Sequence, residues 1–102
     1  LRAINYGGVL APMQFWQPPR ARYDSQDVFG MFDLIGVIYE QPVMLVQVCR
    51  QRELAKHQDR IEPWVNAFRP AARIVVAAYR ERKSGRAWSF WMLQPSGAWA
   101  EF

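Results

Sequence analysis

Two apolar stretches, residues 33–39 (DLIGVIY) and 43–49 (VMLVQVC), stand on either side of Glu40-Gln41-Pro42. Their spacing is that of two strands joined by a short turn. They therefore read as the two arms of a β-hairpin joined by a three-residue loop. Pairing Tyr39 with Val43 sets the register, so that Asp33 faces Cys49 and Ile35 faces Gln47. Because side chains alternate along a strand, Asp33, Gln47 and Cys49 then project from one face at the far end of the hairpin, with Asp33 and Gln47 as diagonal neighbours.

The rest of the chain supplies partners for this hairpin. Over residues 51–68, Leu54, Ile61, Trp64 or Val65, and Phe68 recur at helical spacing, which predicts a helix with one stripe on a sheet. Pro63 falls inside it, so either the helix kinks there or a second helix begins with Glu62 as its boundary. Residues 74–79 (IVVAAY) read as a buried central strand, 80–86 (RERKSGR) as a charged turn, and 87–93 (AWSFWML) as a further strand paired onward with residues 98–102. Upstream, residues 13–17 (MQFWQ) predict a short strand that Pro18-Pro19 either ends or confines to an edge. Residues 20–30 form a polar loop long enough to carry a site, and residues 1–11, with Gly7-Gly8, read as a tail and flexible joint. The expected fold class is α/β, a mixed central sheet flanked by helices, and 102 residues suit a single domain over 1–102. Since the chain opens on Leu1, a preceding helix is expected to lie upstream.

Composition removes several function classes. Cys49 and His57 are the only residues of their kinds, so this chain has neither a disulfide framework nor a Cys/His zinc site of its own, and a His-dependent triad has little to stand on. Cys49 reads as a small buried apolar residue and His57 as a solvated helix residue. The longest apolar run, 74–79, falls far short of the ~20 residues of a membrane span, and no leader-like segment opens the chain, which points to a cytoplasmic protein with no membrane partner. The net charge of +4 is compatible with a polyanionic partner. Lys56 and Lys83 are the only lysines. The arginine excess suits phosphate oxygens, although a GC-rich genome would produce the same bias.

Two polar residues stand out against these strands. A glutamine inside VMLVQVC and a carboxylate opening DLIGVIY are costly in buried strands unless they are paired or bind an ion. Their oxygens are of the kind that bind a hard divalent cation, with Asp27, across the Gly30 turn, as a second carboxylate. The plainer alternative makes Asp33 a cap for loop amides and Gln47 a core amide bonded to the main chain.

The succession helix, strand, loop, D33-x13-Q47-V48-C49, helix, strand, with the first helix expected mostly upstream of Leu1, resembles the P-D-(D/E)-x-K nuclease superfamily and, within it, archaeal and phage Holliday-junction resolvases. There an Asp opens the second strand, a Glu-x-Lys closes the third, and a Glu comes from a preceding helix. Asp27-Val-Phe-Gly-Met-Phe-Asp33-Leu-Ile followed by Leu45-Val-Gln47-Val is also similar to phage and bacterial nuclease-like proteins with glutamine at that acidic position. The resemblance spans about residues 13–94, and its specific part is these two stretches.

The resemblance implies a restriction-endonuclease-like fold and a metal-dependent endonuclease that cleaves branched DNA. Mg²⁺ or Mn²⁺ would sit on Asp33 and Gln47 with Asp27 assisting, and Lys56 would stand near the attacking water in place of the lysine that Cys49 replaces. Arg20, Arg22, Arg50, Arg52 and Arg60 would hold phosphates. It also implies a homodimer, for which the doubly apolar AWSFWML strand is the expected face, and a host-cell cytoplasm if a phage encodes the chain. The departures at Gln47 and Cys49 keep open an alternative, a nuclease-fold protein that has lost catalysis and serves as a DNA-binding or assembly module.

Overall fold

Alternation and helical spacing translate directly into a mixed sheet crossed by one helix. The computed structural model describes residues 5–6, 9–10, 13–17, 28–29 and 31–102. A two-stranded antiparallel ribbon, β1 (Asn5–Tyr6) with β2 (Val9–Leu10), precedes β3 (Met13–Trp16), β4 (Leu34–Ile38) and β5 (Met44–Arg50). A single 3₁₀ turn (Gln51–Glu53) leads into α1 (Leu54–Phe68), followed by β6 (Arg73–Arg82), β7 (Gly85–Leu93) and β8 (Trp99–Glu101). Strands β3 to β8 form one sheet in chain order, with β5 and β6 parallel and every other neighbouring pair antiparallel. The parallel step is the one that α1 bridges, as a same-direction return requires a crossover.

Burial follows from the order. β6 lies inside the sheet, and Ile74 to Ala78 are all buried, which explains its unbroken apolar run. On one face Ile35, Leu45, Cys49, Ile74, Val76 and Ala78 pack with Leu54, Ile61, Trp64 and Val65 of α1. On the other, Ile38, Met44, Val46, Val75 and Ala77 pack with Phe15, Leu34, Val48, Phe90 and Met92, and no described helix covers this face. Gly36 interrupts β4 because Phe15 of β3 lies across it: a Cβ there would meet the Phe15 ring at 3.0 Å.

Two sequence expectations are corrected and one that was left open is decided. The hairpin register is moved by two residues: Gly36 pairs with Met44, Ile35 with Leu45 and Leu34 with Val46. Tyr39 and Val43 do not pair and are exposed, because Glu40 adopts a positive φ of 56° and Pro42 has no N–H to offer a ladder. The Gln41 N–H closes a turn on the Ile38 carbonyl (3.1 Å), leaving residues 39–43 as the connection. Pro63 starts no second helix: α1 runs through it, and the proline lies on the exposed face, where water can satisfy the carbonyl it leaves without a partner. The helix ends at Arg69, in the left-handed region (φ 45°) with its N–H on the Val65 carbonyl, ahead of Pro70. Finally, residues 80–82 belong to β6, and the turn shrinks to Lys83-Ser84.

The AWSFWML stretch was expected to be apolar on both sides. Phe90 and Met92 pack on the second cluster and Leu93 on the first, so most of that apolar surface is covered within the chain. No helix among the described residues is long and apolar enough to cross a membrane.

Candidate nucleic-acid interface

Asp33 stands where the β4–β5 ladder ends. A short bridge between Val28 and Phe32 closes the turn before it, and Phe32 is fully buried, its ring edge-on to Trp64 at 5.5 Å. With Phe32 anchored, the Asp33 N–H donates to the Val46 carbonyl (2.8 Å). Its Oδ2 accepts the Val48 N–H (2.7 Å) and Gln47 Nε2 (3.0 Å). The carboxylate thus continues the ladder with a side chain where strand β4 has stopped. Gln47 Nε2 also donates to the Val48 carbonyl (2.9 Å). Two acceptors hold that nitrogen, so the amide orientation is fixed: the nitrogen, and not the oxygen, faces Asp33.

The corrected register, continued by one residue, sets Asp33 directly beside Gln47 instead of Cys49. Gln47 is the one polar side chain buried among the described residues, at 8% exposure, and its bonds to Asp33 and the main chain are what make that burial tolerable. Cys49 is buried against α1, and its thiol is pushed up to about 11 by burial first, then by the charges of Glu53 and Asp33. At neutral pH it is a protonated thiol, so the position where the nuclease pattern has a lysine holds neither a cation nor a nucleophile.

A cleft of about 700 Å³ opens beside Asp33, lined also by Phe15, Gln17, Leu34, Val48, Cys49, Arg50, Glu53, Tyr79, Arg86 and Trp88. Arg50 and Tyr79 are register partners at the carboxyl ends of the parallel strands β5 and β6. A second hollow is lined by the same two residues together with Gln51, Arg52, Arg80 and Glu81. The end of a parallel β–α–β unit is where open α/β sheets present their sites, and here that end is rich in guanidinium groups. Arg86 is engaged, with Nε 3.2 Å from Glu81 Oε1 and its guanidinium 4.4 Å from the centre of the Tyr79 ring. Arg50, Arg52, Arg80 and Arg82 are exposed and have no ion-pair partner among the described residues.

The other expected site residues are scattered. Lys56 is exposed on α1 and Arg60 likewise, and neither lines the cleft. Asp27, Arg20 and Arg22 lie outside the described residues. His57 is corrected from solvated to half-buried, its Nε2 3.7 Å from Glu53 Oε2.

The resemblance implied a divalent ion between Asp33 and Gln47, and the donor set as arranged does not fit one. Gln47 presents a nitrogen, Asp33 Oδ2 already accepts two N–H groups, and no three His, Cys, Asp or Glu among the described residues stand together as a metal site. The plainer reading of the two residues, a carboxylate capping main-chain amides and a glutamine bonded to backbone, matches these contacts.

Sequence reasoning passed over Arg80, Arg82 and Arg86 as a charged turn. The signal was present: Arg80 and Arg82 continue the second of two strands joined by a single helix, and such strands end on the same side. Comparison of the chain with protein-family models, with curated proteins and with solved structures finds no significant match.

Proposed function

We propose that this chain is a DNA-binding domain of nuclease-type architecture, holding the phosphate backbone on arginines at the carboxyl end of β5 and β6, with the site beside Asp33 no longer catalytic. The observation that carries it is the Gln47 Nε2 to Asp33 Oδ2 bond of 3.0 Å, which with the Val48 N–H occupies the position of an ion, next to arginines that have no ion-pair partner among the described residues. The order of elements supports the architecture. Asp33 precedes the second strand of the large sheet, Gln47 and Cys49 lie on the third, and a helix then leads to a parallel fourth, as a restriction-endonuclease-like fold would have them. Four exposed guanidinium groups at one end of the sheet would contact phosphates irrespective of sequence, which suits branched DNA recognised by its backbone.

A second reading, the metal-dependent endonuclease itself, is favoured by one further observation: the Asp33 and Glu53 carboxylates line the same cleft as Arg50 and Arg86. The two readings separate in a single assay, in which labelled four-way junction, flap and duplex DNA are incubated with the protein in Mg²⁺ or Mn²⁺. The binding module forms complexes and leaves every strand intact, and Asp33→Asn binds as well or slightly more tightly because a negative charge near the phosphates is gone. Nicking that requires the divalent ion and disappears in Asp33→Asn would establish the endonuclease instead. Absence of any DNA complex at low salt would remove both.

A further inference from the structure

Beside the arginines stands an aromatic group that phosphate contacts leave unused. Trp88 is the cross-strand partner of Tyr79, their ring centroids 5.4 Å apart, and two residues along β7 its ring lies nearly parallel to Phe90, at 6.2 Å and 11°. Tyr79 is in turn held by the Arg86 guanidinium, 4.4 Å from its ring centre. The indole is therefore fixed on two sides, yet 40% of Trp88 remains exposed. It lines the Asp33 cleft, and it also lines an adjoining hollow with Arg80 and Arg82. A large, preset aromatic surface thus lines the same cleft as Arg50 and Arg86.

Resting on the DNA-binding reading above, we infer that Trp88 is a stacking platform for an unpaired base, so that the preferred ligand is nucleic acid with single-stranded or splayed nucleotides rather than continuous duplex. A base inside a duplex is already stacked on both faces and cannot reach an indole at the level of the sheet. A splayed nucleotide can place its base on Trp88 while its phosphate meets Arg50, which lines the same cleft. Stacking of this kind tolerates any base, and a ring whose conformation is already set by its neighbours loses little freedom on binding.

The test compares three probes of equal length at one salt concentration, an oligothymidylate, the same oligomer with abasic sites, and a duplex, by fluorescence anisotropy with wild type, Trp88→Ala and Trp88→Phe. The wild type should bind the oligothymidylate more tightly than the abasic strand or the duplex, by roughly 5- to 50-fold. Trp88→Ala should lose that advantage while keeping the abasic affinity, and Trp88→Phe should keep most of it. If Trp88→Ala fails to fold, the oligothymidylate-to-abasic ratio of the wild type decides alone. Equal wild-type affinity for the two strands overturns the platform and leaves backbone binding standing. Binding to none of the probes overturns the DNA-binding reading and the platform with it.

Discussion

The Asp33 carboxylate occupies the ladder position that one more residue of β4 would have filled, and its worth to the fold can be measured. Asp33→Ala leaves the Val48 N–H without its acceptor and the Gln47 amide with one of its two, and should cost about 1–3 kcal/mol in urea unfolding. Asp33→Asn keeps an acceptor oxygen and should cost distinctly less. Cys49 gives a pH signature. Its thiol titrates near 11 in the folded chain against 9.0 as the reference value, raised by burial and then by Glu53 and Asp33. The unfolded chain therefore releases this proton first, and stability present below pH 9 should fall as pH rises towards 11. Cys49→Ala should lack that component in denaturation curves taken across the window, and a thiol reagent should leave native Cys49 unmodified at neutral pH. Alternation by two was enough to bring Asp33 and Gln47 together from sequence, since moving a register by two preserves every face. Their direct pairing was hidden, because it depends on Glu40 entering the positive-φ region, which a glutamate does not advertise.

Elements were legible in proportion to the strength of their periodicity. The β4–β5 arms, α1 and the β6 core announced themselves through apolar spacing, whereas their ends depended on hydrogen bonds and solvent exposure that no pattern encodes. Pro63 shows the difference: its damage to a helix is local, and on the exposed face α1 tolerates it. Relieving that defect should stabilise the chain, so Pro63→Ala is expected to raise the unfolding free energy by about 1–3 kcal/mol. Arg69 carries a smaller strain of the same kind. Glycine enters the left-handed region without a Cβ penalty, and Arg69→Gly should add about 0.5–1 kcal/mol. Thermal unfolding followed by circular dichroism reads both, and a loss of stability in either variant would mean that the side chain contributes more than its backbone costs.

Across the molecule, charge is gathered at one end by topology. Arg50 and Arg52 were recognisable from their place at the end of β5 and just beyond it, but Arg80 and Arg82 join them only because β6 runs parallel to β5, a relation between segments about 30 residues apart that follows from the crossover helix. The β6–β7 ladder sets Trp88 opposite Tyr79, on the face of the sheet that Arg50 shares. The net charge of the chain is modest, +4, so a steep salt dependence would have to come from this local arrangement and not from a general attraction.

The most direct measurement is the affinity for a four-way junction as KCl is raised, for the wild type and for the variant with Arg50, Arg52, Arg80 and Arg82 all changed to alanine. Log affinity should fall linearly with log salt in the wild type, and the variant should bind weakly with a slope shallower by roughly 3 to 4, the loss of four phosphate contacts. A variant that binds with the wild-type affinity and slope would place the phosphates elsewhere and contradict the site.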